Sequence, residues 1–221
     1  MVIWGGSPEQ EGPNLKHPFL NYNPQTNSFK ELPLPNGNNY TAQTKIVNIG
    51  NDQIWTWGGS FNNSRGVEVS NVVNIFDYKT NKWINQGFFS GSVRTDFSAT
   101  LISNGMIYLI GGTFRLPNST SFNYVEGNSI FTYNTTSLGW GMIQALGDKP
   151  SNRVSHTVVE THDQKSLLLY GGRYSVSSGS STLSDIYYVY NIAQNNFTNV
   201  ELPAAGGNNN RFGHFVKINY F

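Results

Sequence analysis

Apolar and aromatic residues fall in short runs along this chain, and each run is closed off by Asn, Gly, Ser or Pro. The clearest set is Phe97-Ser-Ala-Thr-Leu-Ile102, Met106-Ile-Tyr-Leu-Ile110, Ser129-Ile-Phe-Thr-Tyr133 and Trp140-Gly-Met-Ile143. Such runs, rich in β-branched and aromatic residues and bounded by turn formers, predict β-strands. Ser103-Asn-Gly105 between the first two is a tight-hairpin signal. No stretch combines a 3.6-residue apolar period with helix caps. The pattern predicts an all-β chain with four strands to a unit.

The unit repeats. A Gly-Gly pair follows an apolar-aromatic run four times, as Val2-Ile-Trp-Gly-Gly6, Ile54-Trp-Thr-Trp-Gly-Gly59, Ile107-Tyr-Leu-Ile-Gly-Gly112 and Leu168-Leu-Tyr-Gly-Gly172. The second glycines lie 53, 53 and 60 residues apart. A second landmark keeps the same period: an aromatic, a polar turn, then an aromatic seven residues on. Its copies are Tyr22 to Phe29, Phe76 to Trp83, Tyr133 to Trp140 and Tyr190 to Phe197. Four strands in roughly 50 residues, repeated, is the sequence signature of propeller blades. The predicted repeats are 1–35, 36–90, 91–146 and 147–204, with 205–221 the first strand of a further or closing blade. All belong to one domain over 1–221.

These landmarks resemble the kelch-repeat family. Its marks are a double glycine after the second strand (Gly5–Gly6, Gly58–Gly59, Gly111–Gly112, Gly171–Gly172), an aromatic in the third strand and an aromatic opening the fourth. Arg153-Val-Ser-His156 and Arg211-Phe-Gly-His214 match the family's Arg-x-x-His lead into the first strand. Arg94-Thr-Asp-Phe97 matches with Phe in the His position, and Tyr40 to Thr44 departs from it. The resemblance implies a kelch-type β-propeller of about four four-stranded blades. The expectation is a partial propeller, since kelch rings resemble six- or seven-bladed wheels. The same blades occur in the central domain of galactose oxidase.

The aromatics, Trp83 and Trp140 among them, are expected to fill the space between adjacent twisted sheets. Asn71, Asn128 and Asp185, with His17 in the first copy, sit five residues before the third-strand aromatic and are read as polar groups that bond nearby backbone at a strand entry.

Composition narrows the chemistry. Hydrophobic residues make up 38% of the 221, so a sizeable core is available. Charged residues are only 12% and the net charge is +1, which gives no electrostatic case for nucleic acid. No apolar run is long enough to span a membrane. The opening residues lack the charged and long apolar regions of a signal peptide. The compartment, cytoplasmic or secreted, stays open. Five N-x-[ST] sequons, at Asn39, Asn62, Asn118, Asn134 and Asn196, are no more than chance supplies among 29 asparagines and 38 serines and threonines.

There is no cysteine. The crosslinked Cys–Tyr centre that the galactose oxidase association implies has no sulfur to form from. His17, His156, His162 and His214 are dispersed, without metal-ligand spacing. No metal, cofactor or catalytic residue is expected, and the chain reads as a non-enzyme.

What remains is binding. Arg94, Arg153 and Arg211 recur before the innermost strands, so they are candidates to converge at one mouth of a central channel and meet an acidic partner. The alternative is that they stack on blade aromatics or bond loop carbonyls. Arg115 and Arg173 follow Gly-Gly pairs and add charge to the same face. The long connections after the second strands carry Phe61, Phe114, Phe122, Tyr124 and Tyr174 among Asn, Ser and Gly, and such mixtures suit a binding surface. The function read from these features is a kelch-repeat protein-interaction module with a loop-rich face. The second reading is a secreted carbohydrate- or small-ligand-binding propeller related to galactose oxidase-like proteins, without copper-radical catalysis.

Overall fold

The computed structural model describes residues 2–4, 19–35, 44–63, 66–89, 91–116, 119, 121–176, 179–181, 183 and 185–201. Every regular element among them is a β-strand. The chain forms two compact units, Met1–Thr95 and Asp96–Phe221.

Two antiparallel sheets of the first unit pack face to face. Val2–Trp4, Phe19–Asn23 and Ser28–Glu31 form a three-stranded sheet. Lys45–Gly50, Gln53–Trp57, Val72–Asp77 and Lys82–Phe88 form a four-stranded one. Phe19, Leu32, Ile54 and Phe76 are buried together between them, with Trp83 packed at the edge. Phe19 meets Phe76 edge-on, with ring centroids 5.0 Å apart.

The second unit repeats the plan. Ser98–Leu101, Met106–Ile110, Ser129–Asn134 and Trp140–Gln144 form one sheet; Thr157–Glu160, Ser166–Tyr170, Tyr187–Asn191 and Asn196–Asn199 form the next. Tyr108, Ile110 and Ile130 of the former pack on Leu169, Tyr190 and Phe197 of the latter. Polar bonds stitch the first strands together. Thr100 Oγ1 donates to the Val158 carbonyl at 2.5 Å, the Val158 N–H to Ser98 Oγ at 3.0 Å, and the Ser103 N–H to the Glu160 carboxylate at 3.0 Å. These sheets have the four-stranded antiparallel plan that the sequence resemblance implies.

The seven-residue aromatic spacing has a direct structural cause. Tyr22 and Phe29, Phe76 and Trp83, Tyr133 and Trp140, and Tyr190 and Phe197 are all cross-strand partners. The hairpin between them needs a left-handed residue five positions after the first aromatic. Asn27, Asn81, Leu138 and Asn195 supply it, with φ of 48°, 54°, 58° and 52°. Asn tolerates that region better than most residues. The Tyr22 and Tyr190 hydroxyls hold the Asn27 and Asn195 side chains at 3.1 and 2.9 Å.

The Gly-Gly pairs behave alike. Gly58 and Gly59, Gly111 and Gly112, and Gly171 and Gly172 all have φ between 66° and 100°. Gly5 and Gly6 lie outside the described residues, as do His17, the Tyr40 lead-in and the expected further strand in 205–221. Three features depart from expectation. Trp83 and Trp140 are only half-buried; Trp83 keeps its indole N–H at the rim to donate to the Pro33 carbonyl at 2.6 Å. The connections after the Gly-Gly pairs contain hairpins of their own: Ser60–Asn63 with Gly66–Val69, Thr113–Arg115 with Phe122–Tyr124, and Tyr174–Val176 with Gly179–Ser181. Finally, Leu146–Gly147 in the linker adds a fifth, parallel strand to the outer edge of the last sheet. Gly147 permits this approach: a Cβ there would lie 2.3 Å from the Phe197 carbonyl oxygen.

Candidate binding face

The Arg94 and Arg153 lead-ins come directly before Ser98–Leu101 and Thr157–Glu160 in the chain, and both arginine side chains are buried. Arg153 is 1% exposed. Its Nη1 donates to the Gly171 carbonyl at 2.9 Å, and its Nε to the Ser151 carbonyl at 3.0 Å. Its Nη2 donates to both the carbonyl and Oδ2 of Asp185, at 2.9 and 2.8 Å. The guanidinium carbon also lies 5.5 Å from the centre of the Tyr188 ring. Arg153 therefore stacks on a blade aromatic and ties loop carbonyls; its charge is not presented to solvent.

Asp185 is the counterpart. Its Oδ2 accepts from Arg153, from the Ser151 N–H at 2.8 Å and from the Tyr188 hydroxyl at 2.9 Å. Burial pushes the carboxyl up, but the Ser151 N–H and the Arg153 charge outweigh it and hold Asp185 below the usual carboxylate range. For Arg153 burial is the larger effect and lowers its pKa against the pull of Asp185. Arg94 is likewise buried, and burial brings it down to about 9, so it stays charged at neutral pH. Arg211 lies outside the described residues.

The backbone of each lead-in seals onto a Gly-Gly pair. The Gly59 N–H donates to the Arg94 carbonyl at 3.1 Å, and the Gly112 N–H to the Arg153 carbonyl at 2.9 Å. His156, also buried, donates from Nε2 to the Ile110 carbonyl at 3.0 Å. Asp96 and Ser155, third in their lead-ins, are both left-handed with φ of 55°. Ser155 Oγ donates to Asp96 Oδ2 at 3.1 Å.

The other candidates gather on the hairpins beyond the Gly-Gly pairs. Arg115 is half-buried, and its Nε donates to the Ser119 carbonyl within its own hairpin. Arg173 bridges to Val154 through its backbone, at 3.0 Å in both directions. Phe114 stands opposite Asn123, and Tyr124 opposite Thr113. Tyr124 and Tyr174, from hairpins of neighbouring sheets in the second unit, stack with ring centroids 4.6 Å apart. Phe122 and Leu116, which precede Tyr124 in the chain, are 38% and 53% exposed. Among the described residues, no three His, Asp or Glu side chains are grouped to hold a metal ion. Among the described residues, no helix is long and apolar enough to cross a membrane.

Sequence reasoning placed Phe122 only among loop aromatics and passed over Leu116. Thr113–Arg115 and Phe122–Tyr124 pair as a hairpin that sets Phe122 opposite Arg115, the residue before Leu116.

Comparison with known proteins agrees with this architecture. The family model described as the KLHDC2/KLHL20/DRC7 Kelch-repeats domain matches residues 1–219. A solved structure titled "Structure of YjhT" superposes with a TM-score of 0.63 at 15% identity, over 85% of this chain and 59% of that one. At that identity the likeness is one of fold, and this chain spans 59% of that structure's length. With its repeated Gly-Gly pairs and cross-strand aromatics, and a family match running almost end to end, the chain belongs to the kelch-repeat family.

Proposed function

We propose that this chain is a protein-binding kelch module whose contact surface is the pair of hairpins over Thr113–Tyr124 and Tyr174–Ser181. The observation that carries the reading is the Tyr124–Tyr174 stack, together with the exposure of Phe122 and Leu116, which lie near Tyr124 in the chain. Exposed aromatic and aliphatic groups on a framework of hydrogen-bonded strands are what a protein interface uses for anchors. The stack fixes two of the anchors before any partner arrives, so less side-chain entropy is lost on binding. Arg153 supports the surface through the two Gly-Gly pairs that precede the hairpins: its carbonyl accepts from the Gly112 N–H and its guanidinium donates to the Gly171 carbonyl.

The test is quantitative affinity capture with the whole chain. The double variant Leu116→Asp, Phe122→Asp should lose the proteins that co-purify with the parent. Met142→Asp, at an exposed site on an outermost strand, should retain them. Retention by the double variant would refute the assignment. Binding of the parent to a glycan array, abolished by Tyr174→Ala, would move the ligand class to carbohydrate.

A further inference from the structure

We infer that Asn104 is a site of covalent self-modification: the backbone nitrogen of Gly105 attacks its side-chain amide, ammonia leaves, and the residue becomes aspartate or isoaspartate. The two residues form the tip of the hairpin between Ser98–Leu101 and Met106–Ile110.

Asn23, Asn48, Asn104 and Asn134 share one local bond. Each Oδ1 accepts from the backbone N–H two residues on, that of Gln25 at 2.9 Å, Gly50 at 2.9 Å, Met106 at 3.0 Å and Thr136 at 2.8 Å. A donor on this oxygen stabilises the negative charge that develops there when Cγ is attacked. What separates the four is the nucleophile, the nitrogen of the next residue. Pro24 has no N–H to lose. Ile49 and Thr135 branch at Cβ and crowd their own nitrogen. Gly105 has no side chain, and its backbone turns freely towards a five-membered ring. Asn104 is exposed, so water and base reach it; Asn48 is exposed too and is the matched control.

The step balances without any co-reactant but water. The Gly105 nitrogen gives up its bond to the Ile102 carbonyl, 3.0 Å long, and its proton passes to solvent base. The new N–Cγ bond forms as the Cγ–Nδ2 bond breaks and ammonia departs. Water then opens the cyclic imide at either carbonyl. Opening at the Cγ carbonyl leaves aspartate. Opening at the main-chain carbonyl leaves isoaspartate, which routes the backbone through the side chain and adds a carbon to the turn. That extra carbon falls between Ile102 and Met106, whose N–H and carbonyl close the hairpin at 2.9 Å. It also falls beside Ser103, whose N–H and hydroxyl both donate to the Glu160 carboxylate of the next sheet at 3.0 Å. Isoaspartate at 104 therefore loosens a tie between two sheets.

Peptide mapping by mass spectrometry, on the whole folded chain aged at mildly alkaline pH, tests this. Asn104 should convert faster than Asn48 and Asn134 by a factor on the order of ten or more, with isoaspartate among the products. Asn36-Gly37, outside the described residues, is read on its own peptide. The variant Gly105→Asn keeps a residue that tolerates the φ of 84°, and its Cβ meets nothing nearer than the Thr135 hydroxyl at 3.5 Å. It should slow conversion of Asn104 by a similar factor. Equal rates at Asn104 and Asn48 in the parent, or an Asn104 rate that Gly105→Asn leaves unchanged, would overturn the inference.

Discussion

Arg153 and Asp185, 32 residues apart in sequence, meet at 2.8 Å with the arginine buried and the aspartate nearly so. This ion pair fastens the lead-in of the last sheet to the entry of that sheet's third strand. Arg153 also bonds the Gly171 carbonyl, so three landmarks of the repeat converge on one guanidinium.

The pair makes stability pH-dependent on the acid side. Asp185 is held below the ordinary value of 3.8, so the folded state favours its ionised form. Its contribution is complete above the unfolded value and is lost as pH falls through the lower folded value. Denaturant titrations between pH 6 and pH 2 should show this loss in the parent. Asp185→Asn should be less stable at neutral pH and should show a shallower acid decline. Parallel acid profiles would mean that the carboxylate is not engaged.

The cross-strand aromatics should differ sharply in cost. Phe197 is fully buried under the neighbouring sheet, whereas Phe29 is 60% exposed. Phe197→Ala is expected to lose about 3–5 kcal/mol and Phe29→Ala under about 1 kcal/mol. Urea midpoints of the two variants check the contrast, and equal losses would contradict the packing of Phe197.

Leu138 is a place where the chain can be improved. It holds the left-handed turn position that Asn27, Asn81 and Asn195 hold in the other repeats, and it is 44% exposed. Leu138→Asn relieves the backbone by placing there the residue type that the other three repeats use. A gain of about 1 kcal/mol is expected. A destabilised variant would show that Leu138 packs more than its exposure indicates.

Gly111 should be intolerant of the smallest side chain. Gly111→Ala would force a Cβ against His156 and the Arg153 carbonyl at a left-handed φ of 66°, at a cost of several kcal/mol. Gly50→Ala, with φ of 80° but nothing within 4 Å, isolates the backbone part and should cost about 1 kcal/mol. The difference in thermal midpoint between the two measures how tightly the lead-in seals.

The strands and their repeat were legible because short-range rules set them. Turn residues and the seven-residue spacing place Tyr190 opposite Phe197 without reference to the rest of the chain. The fate of Arg153 was not legible, because it depends on Asp185, Tyr188 and Gly171, which only folding brings near. Recurrence of an arginine at positions 94, 153 and 211 fits a charged mouth and a buried tie equally well; only the partners distinguish them. The half-burial of Trp83 follows from a similar contact, its bond to the Pro33 carbonyl 50 residues away. The hairpin over residues 113–124 was hidden by the polar residues at its turn, and the parallel strand Leu146–Gly147 is too short to leave a period.

If the lead-in arginine is a structural tie beneath the binding face, its loss must show in stability before it shows in binding. The thermal midpoint of Arg153→Gln, set beside that of Arg115→Gln, decides this. Removing the buried charge strands Asp185 and two carbonyls, a loss of about 3–5 kcal/mol, which lowers the midpoint by on the order of 10 °C. Arg115, half-buried and bonded within its own hairpin, should leave the midpoint within about 2 °C on substitution. Should Arg153→Gln melt like the parent while losing the captured partner, the arginine would belong to the contact surface and its role as a tie would be contradicted.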